Sequence, residues 1–453
     1  MIRKPHSIPS AIALACVASL LAACGGGGGS GGSGGTPPPT YTISGTISGL
    51  KGSAVLHNAG DTVTVNGDGS FSFPTPVQEG SEYDAQVQSL QFASQTCLVA
   101  NGTGIANADV DDIVVTCLPH NVPKYAYVAN YNGASLSQYA IDAATGALSP
   151  VAGGSVATEV EPNSVAVHPG GRFVYVTNAG SNTISQFAIG ADGALSPLSP
   201  ASVTTGNGPS FIAVAPGGHA AYVSNFHDNT VTQYAIGADG TLAPMAVPSV
   251  GTGTNPQAVT VDPSGRYAYV TDFQGAAIWQ YTIGADGALA AMTPATAPAG
   301  ANPIFIAVEP TGRFAYAANR GEDTVSQFSL DANGALVPLA TASVAVGSVP
   351  IAIAFDPDGR YAYVLNRDDN SVSQFTIGAD GALAPMTPAT VATGDYPTSI
   401  TVDSRGIYAY VTNLLDGNVS RYEIAVDGTL QPAGTPSAAG IDPYSVTIAS
   451  DYQ

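Results

Sequence analysis

Few residues in this 453-residue chain have the makings of a chemical site: there are six histidines, and twelve Lys and Arg stand against 33 Asp and Glu. Arg320 and Arg367 lie 47 positions apart, each directly after an asparagine (Asn319, Asn366). Two guanidinium groups so matched suit a carboxylate or a phosphate. The equivalent positions elsewhere read Tyr131, Ala179, Phe226, Phe273 and Leu414, so Tyr131, Phe226 and Phe273 offer faces for stacking on a sugar or another ring. Hydrolysis of an activated ester needs a base for water and a positive group for the developing oxyanion. His227 or Glu322 is the candidate base, and Arg320 or Arg367 the stabiliser. A second reading pairs the arginines with Glu322, Asp368 and Asp369 on exposed loops, where ion pairs contribute little. No Gly-x-Ser-x-Gly elbow or Ser-His-Asp order supplies a nucleophile. No Cys/His cluster has zinc spacing and the Asp-Gly turns lack a calcium loop's alternating ligands, so neither a metal nor another cofactor is expected.

These positions match one another because the chain repeats. A Tyr-Val-x-Asn-like strand recurs at Tyr127, Tyr175, Tyr222, Tyr269, Tyr316, Tyr363 and Tyr410, spaced 48 once and 47 five times. Gly146, Gly193, Gly240, Gly287, Gly334, Gly381 and Gly428 follow at intervals of 47, and a proline series runs from Pro162 to Pro443. Within residues 256–290, Pro256 to Val261 and Tyr267 to Asp272 alternate as strands around the Asp262-Pro263-Ser264-Gly265 turn. Ala277 to Thr282 forms a third strand, and after the Asp286-Gly287 hairpin Ala288-Leu289-Ala290 begins a short outer one. Four antiparallel strands repeated seven times predict an all-β, seven-bladed β-propeller over 119–453. The first unit lacks its Pro-led strand, while the chain finishes on Pro443 to Ile448 with no unit of its own. The C-terminal strand is therefore expected to pair beside Tyr125 to Asn130 and close the ring.

Upstream, residues 41–118 predict a small β-sandwich, from the alternating Tyr41 to Ser48, the Asn66-Gly67-Asp68-Gly69 turn and Ser70 to Phe73. Cys97 and Cys117 both fall in this region and are expected to form one disulfide, worth roughly 3 kcal/mol by loop closure. Residues 25–40 read as a Gly/Ser/Pro tether, whose eleven-residue Gly/Ser part has a reach of about 17 to 20 Å. Residues 1–24 combine Arg3 and Lys4 with an apolar run from Ala11 to Leu21, as signal peptides do. The run closes on Leu21-Ala22-Ala23-Cys24, which resembles the lipobox of bacterial lipoproteins and implies lipidation of Cys24.

Tyr175 to Asn178 and Tyr410 to Asn413, both Tyr-Val-Thr-Asn, and the Asp-Pro-x-Gly-Arg turns at Asp262 to Arg266 and Asp356 to Arg360 resemble the YVTN-type repeat. The array as a whole is similar to the seven-bladed lactonase family named for 6-phosphogluconolactonase, and that resemblance implies the fold and hydrolysis of a sugar or acid lactone. Members often carry histidine just after the blade-leading proline; here those places read, in order, Asn163-Ser164, Ser210-Phe211, Gln257-Ala258, Ile304-Phe305, Ile351-Ala352, Thr398-Ser399 and Tyr444-Ser445. The favoured reading is a monomeric binding or interaction module, held at the bacterial cell envelope through its N-terminal lipid, with the outer membrane as the expected site. Its partner is a small anionic or sugar-like ligand or an envelope protein. The alternative is an exported lactone hydrolase. A formal net charge of −21 excludes nucleic acid as a partner.

Overall fold

The computed structural model describes residues 38–50, 52–90, 95–119 and 121–452, so Cys24 and most of the tether lie outside it. Every regular element among the described residues is a β-strand. The N-terminal unit is a sandwich of two four-stranded sheets. One runs Gly69–Ser72, Ile43–Ser48, Val110–Pro119, Gln95–Ala100; the other runs Asp61–Asn66, Ser53–Asn58, Ser81–Leu90, Thr103–Ala106. Alternation within Ile43–Ser48 turns Ile43 and Ile47 inward onto Leu56, Phe71, Ile113 and Val115. Gly45 is required there, since a Cβ would sit 2.2 Å from the Ile113 carbonyl oxygen of the neighbouring strand. The Cys97–Cys117 disulfide joins directly paired residues of two antiparallel strands.

Residues 121–452 form seven four-stranded blades. Blade 1 is shared by both ends: Pro443–Tyr452 is its inner strand, followed outward by Asn121–Asn130, Ser135–Ile141 and Leu148–Ala157. The closing pair is antiparallel, with Ala126 opposite Ile448, Tyr127 opposite Thr447 and Val128 opposite Val446. Blades 2 to 7 open at Pro162, Pro209, Pro256, Pro303, Pro350 and Pro397. The outer strands are not short. Leu195–Thr204, Leu242–Gly251 and their counterparts in blades 1 and 4 to 6 have ten residues each, while in blade 7 the outer strand is split into Leu430–Pro432 and Ser437–Ala438. Their length escapes sequence patterning because they are largely exposed and rich in proline, which edge strands tolerate.

The repeated tyrosines and glycines are bonded to each other. Each Tyr-Val-x-Asn tyrosine is fully buried and donates its hydroxyl to the carbonyl of the hairpin glycine in the next blade: Tyr175 to Gly240 and Tyr222 to Gly287 at 2.7 Å, and so on around to Tyr410 and Gly146 at 2.8 Å. A second ring of clips uses glutamine. Gln186 accepts from the Leu242 N–H at 2.7 Å while donating to the Pro200 carbonyl of its own outer strand, and Gln138, Gln233, Gln280, Gln327 and Gln374 accept in the same way. The seventh place holds Arg421, and the seam between blades 7 and 1 has in its stead the Tyr408 hydroxyl and the Arg405 guanidinium donating to the Ala144 and Ala143 carbonyls at 2.9 and 2.6 Å.

Candidate functional site

The site is assembled where each blade begins. The residue before every blade-leading proline, Glu161, Gly208, Asn255, Asn302, Val349, Tyr396 and Asp442, has positive φ between 51° and 67°. The inner strand then bulges between the proline and the residue two places on, as at Pro209/Phe211 and Pro397/Ser399. A bulge re-aims side chains, and here the residues after the prolines of all seven blades border one cavity of about 240 Å³ at the centre of the ring. Loop side chains hold the left-handed residues in place. Asn182, Asn229, Asp323 and Asn370 accept the N–H of Gly208, Asn255, Val349 and Tyr396 at 2.8 to 2.9 Å.

The lining is divided. Blades 3 to 6 contribute Phe211, Ala258, Ile304, Phe305, Ile351 and Ala352 with the polar Ser210 and Gln257, and Phe211 meets Phe305 edge to face at 5.6 Å. Blades 7, 1 and 2 contribute Thr398, Ser399, Tyr444, Ser445 and Asn163. Many of the polar lining groups are engaged by the ring itself. Asn163, Ser210 and Thr398 donate to the carbonyls of Pro209, Pro256 and Pro443 in the following blades at 2.8 to 3.0 Å, and Ser399 and Ser445 accept the Val446 and Val165 N–H groups.

Arg320, Arg367 and Tyr396 complete the lining. The Arg367 guanidinium lies 4.7 Å from the centre of the Tyr396 ring and pairs with Asp368 at 2.8 Å. Arg320 makes no ion pair among the described residues. Tyr444 keeps 39 % of its surface accessible, and this surface faces the cavity. Enclosure by the walls pushes its phenol pKa up; Tyr396 adds to the rise, and Arg367 and Arg320 oppose it, which puts all four groups within electrostatic reach. Tyr131 does not line the cavity but packs on Tyr444 at 5.4 Å, its pKa pushed up to about 12 by burial and then by the neighbouring Glu161.

The structure thus brings Arg320 and Arg367 to one cavity, with Tyr131 behind its wall. Phe226 and Phe273 are half-buried outside the lining, and their carbonyls accept the Asn255 and Asn302 side-chain amides at 3.0 Å. His227 and Glu322 are exposed and do not line the cavity; His227 packs edge-on against Phe226 at 5.0 Å. Asp369 accepts the Ser348 N–H at 2.6 Å and so belongs to the loop scaffold. The motif asparagines are buried caps: Asn366 donates to the Ser371 and Ser373 hydroxyls at 3.1 and 2.9 Å. Tyr396, Tyr444 and Gln257 escaped the sequence reading as site residues. A signal existed for Tyr396, because left-handed backbone favours glycine, asparagine or aspartate, and a tyrosine there costs energy that a contact such as the Arg367 stack offsets.

The family profile described as "Lactonase, 7-bladed beta-propeller" matches residues 120–202 and 190–452. No curated protein matches the chain. Among solved structures, a candidate 6-phosphogluconolactonase from Bacteroides fragilis superposes with a TM-score of 0.65 at 23% identity, covering 72% of this chain and 98% of that one. The periplasmic gluconolactonase of Pseudomonas aeruginosa superposes at 0.62 with 22% identity, covering 72% and 99%. The hydrazine synthase of Kuenenia stuttgartiensis also superposes, at 0.52 with 22% identity over 66% and 92%. Likeness at this level shows a shared fold that hosts unlike chemistries. By the span of its profile match and its seven closed blades, the chain belongs to the seven-bladed β-propeller lactonase family.

Proposed function

We propose that the propeller is a binding module for a small anion, displayed at the cell envelope by a lipid on Cys24. The observation that carries the reading is Arg320, unpaired among the described residues, beside Arg367 on a cavity with no carboxylate in its lining, in a protein of formal net charge −21. Charge-assisted hydrogen bonds are the stronger ones, and a cavity wall protects them from water. Calorimetry with small carboxylates tests the reading: binding that Arg320→Gln and Arg367→Gln weaken is expected. Equal affinity in the wild type and both variants would refute it. Export is tested separately by labelling cells with radioactive palmitate, where Cys24→Ala is expected to remove the label from this protein.

Family membership favours a second reading, hydrolysis of a lactone at the same cavity. The arginines would then face the developing oxyanion. With neither His nor carboxylate in the lining, the base must reach in from the rim, where His227 and Glu322 remain the candidates. Turnover of a lactone panel that falls in His227→Ala or Glu322→Ala would favour this reading.

A further inference from the structure

The makeup of the cavity wall narrows the ligand beyond its charge. Part of the polar wall is already used: the Asn163, Ser210 and Thr398 donors go to backbone carbonyls of neighbouring blades, and the Ser399 and Ser445 hydroxyls accept backbone N–H groups. Besides Arg320, the lining groups with no hydrogen-bond partner among the described residues are the Gln257 carboxamide and the Tyr396 and Tyr444 phenols. On the side of Phe211, Ile304, Phe305 and Ile351 a sugar acid would exchange water for an apolar wall, and an unpaired buried hydroxyl there costs roughly 1 to 3 kcal/mol. The apolar side chains, by contrast, come from four consecutive blades, and the arginines come from two of these, blades 5 and 6. Positive charge and apolar surface are therefore on the same side. Phe211 and Phe305 offer ring edges and faces, and Tyr396 and Tyr444 add two more rings. A cavity of about 240 Å³ suits a compact ligand, being slightly below the usual range of about 300 to 1,000 Å³ for small-molecule sites.

We infer that the ligand is a compact aromatic carboxylate, its carboxylate on Arg320 and Arg367 and its ring against Phe305, Phe211 and Ile304, in place of a polyhydroxylated sugar acid. The inference rests on the anion-binding reading above and specifies the body attached to the charge. Gln257 and the two phenols fit one or two ring substituents such as a hydroxyl.

Calorimetry of the purified protein with benzoate, 4-hydroxybenzoate, gluconate and neutral benzyl alcohol tests it. The aromatic acids are expected to bind at least tenfold more tightly than gluconate, and benzyl alcohol to bind more weakly than benzoate. Ile304→Gln and Ile351→Gln, which alter half-buried lining residues, are expected to lower benzoate affinity about tenfold while leaving gluconate unchanged or improved; matched circular dichroism and melting curves confirm folding. For a variant that does not fold, the wild-type ratio of benzoate to gluconate decides. Gluconate binding as well as benzoate or better, in an arginine-dependent manner, would overturn the aromatic inference and leave the anion reading standing. If none of the acids binds, both fall.

Discussion

At Tyr396 two demands on one residue conflict. Its backbone is left-handed at φ 56°, where a non-glycine residue costs roughly 1 to 2 kcal/mol, yet its ring lies under the Arg367 guanidinium. Asparagine meets the backbone demand, as Asn255 and Asn302 do in equivalent places, but supplies no ring. Tyr396→Asn should therefore keep or slightly raise the melting temperature while weakening carboxylate binding several-fold, a combination read by scanning calorimetry and titration together. Val349 has the same backbone at φ 54° without lining the cavity, and a β-branched residue is ill suited to it. Val349→Gly should raise stability by about 1 kcal/mol with binding unchanged. A parallel loss of stability in both variants would show that these side chains pack rather than strain. Arg320→Gln and Arg367→Gln differ in a further way. Arg367 already has Asp368, so the unpaired Arg320 should be the costlier loss in affinity, by about tenfold or more.

The tyrosine-to-glycine clips act between blades. Burial raises these phenols well above 10; Tyr222 is pushed up to about 12, Tyr175 and Tyr410 further. A folded-state pKa above the unfolded value means that the unfolded chain loses its proton first as the solution becomes alkaline. The stability from the clips is thus intact below pH 10 and declines as pH rises past it. Because seven clips share the ring, the decline should be steep: the part of the phenolate absorbance at 295 nm that belongs to the clip tyrosines is expected to appear only together with loss of β circular dichroism. Tyr222→Phe, which leaves the Gly287 carbonyl without this donor, should cost roughly 1 to 3 kcal/mol. Both partners were visible in the chain as two series in constant register, because a ring of equal blades imposes one spacing. The divided cavity was not visible, since its residues differ from blade to blade and only the bulge after each proline turns them to a common centre. Arg320 and Arg367 stood out because the repeat offers no other reason for them. Tyr444 did not, because it reads as one more alternating residue of the closing strand.

Across the whole molecule the two folded units should answer to different treatments. Reduction, or Cys97→Ser with Cys117→Ser, removes the covalent cross-strand tie of the sandwich and should lower its stability by roughly 3 kcal/mol, leaving the propeller transition in place. A chain ending at Asp442 should do the reverse. It exposes the edge of Asn121–Asn130 and uncovers the core into which Val446 packs, so lower thermal stability and aggregation are expected by light scattering. Deleting residues 25–37, which stops short of the Pro39 carbonyl bonded to the Glu79 N–H and of Thr40 paired with Gln78, should barely move the melting temperature.

The strand that closes the ring also carries Tyr444 and Ser445 into the cavity, and Tyr131 packs on Tyr444 from the turn after Asn121–Asn130. Of the lining residues, Tyr444 and Ser445 are made after all the others, so a nascent chain lacks this part of the wall until the closing strand is synthesised. Ligand occupancy would then favour molecules whose ring is closed, and loss of this strand to a protease would remove the closure and one stretch of the cavity wall together.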